Sequence, residues 1–252
     1  HGRGAAFGDA IGKILQANGY AVSKEYYIND AGRQMDILAA SVWLRLHDYF
    51  DDKSYPESGY KGSYIIDIAN QVDSSLKIES SKINNLISDL PEDPEEQIDA
   101  LIKVFKQEGK SLWKQIKEIS LNMVLKTIKD DLKAFKVDFD NWYYESSLGS
   151  LEDSSSKIAS AINQLKTEGL AYEENGAIWL KTEQAGDDKN RVLIRDDGRA
   201  TYFAADLAYH KDKVDRGFDK LINVWGADHH GYIKRIEASL EGLGFSKNKL
   251  HV

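Results

Sequence analysis

Apolar and polar positions along this chain change period several times, and each change marks an element. After His1-Gly2-Arg3-Gly4, apolar residues at Ala6, Ala10, Ile11, Ile14 and Leu15 recur at helical spacing, and Asn18-Gly19 is a helix stop. Tyr20–Ile28 alternates and is rich in aromatic and β-branched residues, which predicts a strand. Asn29-Asp30-Ala31-Gly32 ends it, and both Asn29 and Asp30 are N-cap types. Met35, Leu38, Ala39, Val42, Trp43 and Leu46 then mark one face of a helix that fades near Phe50. Helix, strand, helix is the phase of a doubly wound α/β domain.

The pattern changes after residue 50. Asp51–Tyr64 reads as a loop and Ile65 to about Leu90 as a polar helix. Pro91-Glu92-Asp93-Pro94-Glu95-Glu96 opens another helix, its acidic first turn matched to the helix dipole. Leu112, Ile116, Ile119, Met123 and Leu132 predict a long helix over Lys110–Phe135, with these residues as core. Phe139–Tyr144 is strand-like, and Lys157–Thr167 is a helix closed by Gly169. Short strands follow at Leu170–Tyr172, Ile178–Lys181 and Arg191–Ile194, separated by Asn175-Gly176 and followed by the Asp196-Asp197-Gly198 turn. A helix runs from Thr201 to about Lys213. The expected division is a Rossmann-like parallel-sheet core of residues 1–50 and 195–252, with 51–194 as an inserted lobe that is mostly helical and carries the short strands. The core strands Ala21–Ile28 and Lys220–Gly226 are expected in one parallel sheet.

Leu221–Tyr232, LINVWGADHHGY, is the densest candidate for chemistry. Leu221, Ile222, Val224 and Trp225 suit a buried parallel strand, and ligands in open α/β sheets sit just beyond the carboxyl ends of such strands. Gly226 would allow close backbone approach to a ligand. Asp228 could accept hydrogen bonds from sugar hydroxyls, or cap the helix from about Tyr232 to Gly242; His229 and His230 could donate to phosphate. The glycines at the first helix entrance, Gly2 and Gly4, have two readings. One is phosphate approach to free backbone N–H groups, with His1 and Arg3 as added donors; the other is close packing of helix on sheet.

Composition narrows the classes. The chain has 252 residues, 42% of them hydrophobic and 29% charged, with a net charge of −8 and no cysteine. That is the composition of a water-soluble globular protein with a real core, and it excludes disulfides and thiolate metal sites. No apolar run approaches the roughly 20 residues of a membrane span, and no signal peptide is expected. A cytoplasmic protein with no membrane partner is the expectation. A nucleic-acid partner would have to meet a local basic patch, because the net charge is of the wrong sign. The chain begins inside a helix entry and stops at Leu250-His251-Val252, which reads as the opening of a strand, so it reads as an internal piece of a longer protein.

Three stretches, HGRGAAFGDA at the start, EYYINDAGRQM at Glu25–Met35, and TYFAADLAYHKDK…INVWGADHHGY at Thr201–Tyr232, resemble the bacterial arginyl-tRNA synthetases. The resemblance extends through Asp187–Leu193 and is loosest between about Asp51 and Lys136. It implies a class I synthetase with a Rossmann-like core, which joins arginine to ATP and passes it to the terminal adenosine of tRNA(Arg). Arginine, ATP with Mg²⁺, and tRNA(Arg) are the implied partners, and a monomer is expected. His1 corresponds to the second histidine of the His-Ile-Gly-His signature and is the implied catalytic residue, with Gly2 and Gly4 beside it. Gly226, Asp228 and His229 correspond to the segment that holds ATP's ribose and adenine. Tyr202 and Asp206 correspond to the pair that reads the guanidinium; at i and i+4 they share a helix face. Asn29, Asp30 and Gln34 correspond to a stretch bordering the arginine pocket. No residue is assigned as a metal ligand.

The family's Lys-Met-Ser-Lys-Ser loop, its N-terminal tRNA-contacting domain and its anticodon-binding domain have no counterpart here, which leaves the activity of the piece itself open. Three rival readings remain. One is a nucleotide-binding module without turnover. Another is a manganese phosphoesterase, suggested by Asp228-His229-His230 with Asp138-x-Asp140 as a second acidic motif. The third is another adenylate-forming enzyme of the same superfamily, which would share His1 and Asp228 but not the Tyr202–Asp206 pair.

Overall fold

The computed structural model describes residues 2–46, 55–77, 91–185, 187–226 and 230–252. The chain opens with α1 (Gly2–Ala17), β1 (Glu25–Ile28), α2 (Gly32–Leu46), α3 (Ser63–Leu76), α4 (Pro94–Glu108) and α5 (Lys110–Ala134). It continues through β2 (Asn141–Tyr144), α6 (Lys157–Thr167), β3 (Ala171–Glu174), β4 (Ala177–Leu180) and β5 (Arg191–Ile194). It ends with α7 (Tyr202–Asp215), β6 (Leu221–Ile222), α8 (His230–Gly242) and β7 (Leu250–His251). The fold is mixed α/β with parallel pairing. Two compact units divide it, His1–Ile28 with Val137–Val252, and Asn29–Lys136. Residues 29–46, expected with the core, thus pack in the second unit, and 137–194, expected in the inserted lobe, pack in the first.

In the first unit, β1 pairs in parallel with β2, with Glu25 opposite Asn141 and Ile28 opposite Tyr144. The strand expected over Tyr20–Ile28 is shorter, because the ladder is stopped at its start. Asp140 turns its carboxylate onto the Lys24 backbone N–H (2.7 Å), and its own N–H donates to the Lys24 carbonyl (2.8 Å). β6 pairs in parallel with β7, with Leu221 opposite Leu250. The two pairs are separate, which corrects the expectation of one sheet holding Ala21–Ile28 and Lys220–Gly226. Only Leu221–Ile222 of the latter stretch is strand; Leu221 is buried while Ile222 and Val224 are exposed, so the run is not buried on both faces.

Three antiparallel strands, β3-β4-β5, form the small sheet. Asn175 (φ 50°) and Gly176 (φ 78°) both take the left-handed conformation that a two-residue hairpin turn requires. Leu148, Ile162, Leu165, Leu193, Leu207, Ile236 and Leu240 fill the core that α6, α7 and α8 share with this sheet. α1 differs from its expected amphipathic orientation. Its buried residues are Asp9 and Gly12, while Ala6, Ala10 and Ile14 face outward. Asp9 is held by Lys13 (2.6 Å) and Lys24 (2.8 Å), an ion triad that replaces an apolar seam.

The second unit is helical and centred on α2. Nine consecutive or near-consecutive α2 residues, Met35 and Ile37–Leu44, are buried, because α3, α4 and α5 surround the helix. Trp43 stacks on Phe105 at 4.7 Å, with Trp113 beside both. Asp93 starts α4 by accepting from the Glu96 N–H (3.0 Å), with Pro94 at the first helical position. The helix expected from Ile65 to Leu90 is described from Ser63 to Leu76 and turns at Lys77 (φ 47°); residues 78–90 lie outside the described residues.

Candidate functional site

The first unit gathers the site around α7. Thr201 caps the helix: its hydroxyl accepts from the Ala204 N–H (3.3 Å) and donates to the Val192 carbonyl (2.9 Å), tying the helix start to β5. Tyr202, the first residue of the helix, is 60% exposed. Asp206, one turn on, is half-buried, and its Oδ2 accepts a hydrogen bond from the Tyr232 hydroxyl at 2.7 Å. The Tyr232 ring is set by Trp225 (5.8 Å) and by Phe203, which meets it edge-on (6.1 Å). Burial first, and then the Asp206 carboxylate, raise the Tyr232 phenol, so it stays a neutral donor.

A buried polar chain continues behind Asp206. His210 is 1% exposed, and its Nδ1 lies 2.7 Å from the Asp206 carbonyl oxygen. Its Nε2 is 2.7 Å from Asn223 Nδ2, and Asn223 Oδ1 accepts from Lys213 Nζ at 3.1 Å. Burial pushes the His210 imidazole down to about 3 and the Lys213 ammonium down to about 8. Lys213 Nζ also stands 4.3 Å over the Tyr209 ring, and the Tyr209 hydroxyl donates to Glu25. Arg216 grips the Glu25 carboxylate with two nitrogens (2.8 and 3.0 Å). Burial alone would raise the Glu25 carboxyl, but hydrogen bonds from Arg216, Tyr209 and Asn141 together hold it below the usual range. The chain therefore runs from Asp206 to β1.

The stretch leading to Gly226 lies against α1. A Cβ at Gly4 would meet Val224 Cγ1 at 3.9 Å, and one at Gly8 would meet Val224 Cγ2 at 3.3 Å. Gly4 and Gly8 allow this close packing, and Gly2 and Gly4 stand in the first turn, whose backbone N–H groups lack intrahelical acceptors. The α1 entrance and the segment Asn223–Gly226 are thus neighbours. His1, Asp228 and His229 lie outside the described residues.

Asn29, Asp30 and Gln34 belong to the second unit. Gln34 accepts from the Tyr60 hydroxyl, and Asn29 is exposed. Asp30 lines an open cavity of about 590 Å³ with Met35, Trp113, Lys114, Lys117, Glu118 and Leu121. Asp140, half of the second acidic motif, accepts from the Lys24 backbone N–H through Oδ2. Among the described residues no group of three or more His, Asp or Glu side chains is placed to hold a metal ion, and no helix is long and apolar enough to cross a membrane.

The sequence reading did not single out Tyr232, His210, Asn223 or Glu25 as a connected set. The i, i+4 spacing of Asp206 and His210 is a signal for one link. The links through Asn223 and Tyr232 join residues 13 and 26 positions apart and leave no local trace.

Comparison with known proteins places this geometry in a class. The model of the class I tRNA synthetase (R) catalytic domain matches residues 1–252. The chain belongs to that family. It is 46% identical over 261 residues to an arginine–tRNA ligase of Legionella pneumophila subsp. pneumophila and 44% identical to one of Thioalkalivibrio sulfidiphilus. In both cases all of this chain is matched and 44% of the relative, so the chain spans less than half the length of these relatives. A Campylobacter jejuni structure described as an arginyl-tRNA synthetase superposes with a TM-score of 0.76 at 36% identity, covering 100% of this chain and 49% of that one. The Thermus thermophilus arginyl-tRNA synthetase shares the fold, with a TM-score of 0.64 at 20% identity.

Proposed function

We propose that the protein to which this chain belongs activates arginine with ATP and transfers it to tRNA(Arg), working as a monomer in the cytoplasm. The arginine carboxylate attacks the α-phosphorus of ATP, forming arginyl-adenylate and releasing pyrophosphate. The 2′-hydroxyl of the terminal adenosine then attacks the activated carbonyl and AMP leaves. ATP enters as its magnesium complex. Such chemistry depends on positioning and on stabilising charge at the phosphates.

The observation that carries this reading is the Asp206 carboxylate, half-buried on α7 and held by Tyr232, in a chain of this family. Arginine differs from lysine by a planar fork of donors, and a carboxylate fixed in orientation is its natural complement. Tyr202 supplies an aromatic surface one turn away. ATP is proposed to lie with its phosphates at the α1 entrance, met by His1, Gly2 and Gly4. Its ribose and adenine then fall to Gly226, Asp228 and His229. The contact between Gly4 and Val224 supports that assignment, because it puts the two stretches side by side.

Arginine-dependent ATP–pyrophosphate exchange by the full-length protein, with its tRNA present, tests the reading. Asp206→Asn should lower kcat/KM for arginine by about 3–5 kcal/mol, with ATP use hardly changed. Arginine use within about threefold of wild type, well under the tenfold that about 1.4 kcal/mol represents, would make Asp206 structural.

A further inference from the structure

We infer that Tyr232 is a positioning residue for amino-acid choice: by donating its hydroxyl to Asp206 Oδ2 at 2.7 Å, it aims the carboxylate that reads the guanidinium. The inference rests on the reading of Asp206 above and deepens it.

An aspartate carboxylate turns about its terminal bond over a broad range unless something holds it. Tyr232 is suited to hold it, because its own ring is fixed. Trp225 packs at 5.8 Å, Phe203 meets it edge-on at 6.1 Å, and the Arg235 guanidinium stands 5.7 Å from its centre. Asp206 is also fixed from behind, where His210 Nδ1 donates to its carbonyl at 2.7 Å. The His210 ring rests on the same Trp225, at 6.2 Å. Asp206 is therefore held at its backbone and at its carboxylate by two side chains that share one indole.

The consequence is selective. A guanidinium is planar and meets a carboxylate well only when the two planes are aligned, whereas an ammonium is a compact charge indifferent to that angle. Releasing the carboxylate should therefore weaken arginine more than lysine. Tyr232 lies in the first turns of α8, in the LINVWGADHHGY stretch proposed to hold ATP. The residue that aims the amino-acid reader thus belongs to the nucleotide-binding segment.

The test uses the full-length protein with its tRNA and pyrophosphate exchange. Tyr232→Phe keeps the ring and its packing and removes only the donor. KM for arginine should rise about tenfold, the equivalent of about 1.4 kcal/mol, with KM for ATP within about twofold and the thermal midpoint unchanged. The ratio of arginine to lysine use should fall. In an Asp206→Asn background the same substitution should add less than about twofold, because the carboxylate that Tyr232 aims is already gone. An unchanged arginine KM, an equal loss in both backgrounds, or a parallel loss of ATP use and stability would each overturn the inference. If Asp206→Asn alone has no effect on arginine, the reading of Asp206 falls and this inference with it. If Asp206→Asn is damaging and Tyr232→Phe silent, only the role of Tyr232 falls.

Discussion

Asn223 fixes the tautomer of His210. Lys213 Nζ, which can only donate, lies 3.1 Å from Asn223 Oδ1, so the amide nitrogen faces His210 Nε2 at 2.7 Å. Nε2 must accept, and the imidazole proton sits on Nδ1, where it is donated to the Asp206 carbonyl. A protonated ring would place two donors face to face at Nε2. Burial first, and then the neighbouring Lys213 charge, favour the neutral imidazole.

Stability should follow from that. The unfolded imidazole titrates near 6.5 and the folded one is pushed down to about 3. Between those values the unfolded chain binds the extra proton, so stability is full above 6.5 and is lost as pH falls. The slope from this group alone is at most about 1.4 kcal/mol per pH unit. Urea unfolding across that window, comparing wild type with His210→Gln, isolates it. Equal slopes in the two proteins would refute the assignment.

Glu25 and Arg216 give a second prediction. The half-buried carboxylate accepts from Arg216, Tyr209 and Asn141, so Glu25→Gln should cost about 1.5–3 kcal/mol by removing one of the two carboxylates on Arg216, whose Nε keeps Asp212 at 3.0 Å. Because the folded carboxyl lies below its ordinary value of 4.5, its contribution is present above that pH and disappears below it. The wild-type advantage over the variant should therefore shrink in acid, as read from chemical unfolding at neutral and low pH.

Gly149 should not tolerate a side chain. Its φ is 75°, and an added Cβ would stand 2.5 Å from the Ser156 Cβ. Ser156 is the N-cap of α6 and accepts from the Ala159 N–H at 3.0 Å, so the clash would be passed to the helix start. Gly149→Ala should cost about 2 kcal/mol or more, seen as a lower thermal midpoint. A midpoint within a degree of wild type would contradict this backbone geometry.

In the second unit, Phe105 is 1% exposed and stacks on Trp43. Phe105→Ala should cost about 3–5 kcal/mol and alter the near-ultraviolet circular dichroism of the tryptophans, while Phe105→Leu should cost much less. Equal losses for the two would argue against a packed site.

The sequence by itself determined the elements whose cause is local. Asn175-Gly176 made the hairpin because two successive left-handed residues need those types. Thr201 began α7, and the apolar spacing of Lys110–Ala134 made α5. The order of the motifs also gave the family, and the i, i+4 spacing put Tyr202 and Asp206 on one helix face. Tertiary structure alone decided which strands pair: Glu25–Ile28 chose Asn141–Tyr144, across more than a hundred residues, over Leu221–Ile222. Hydrophobic pattern marks a strand as apolar but not its partner, which depends on which edge the chain can reach. It likewise decided that Asp9 is buried on α1 while Ile11 and Leu15 are only half-buried, because Lys24 and Lys13 are there to neutralise it. Tertiary structure also decided the buried chain from Asp206 through His210 and Asn223, and the grip of Tyr232. The bonds of His210 to Asn223 and of Tyr232 to Asp206 exist only where α7, α8 and the segment after β6 meet, and no period in the sequence records such a meeting.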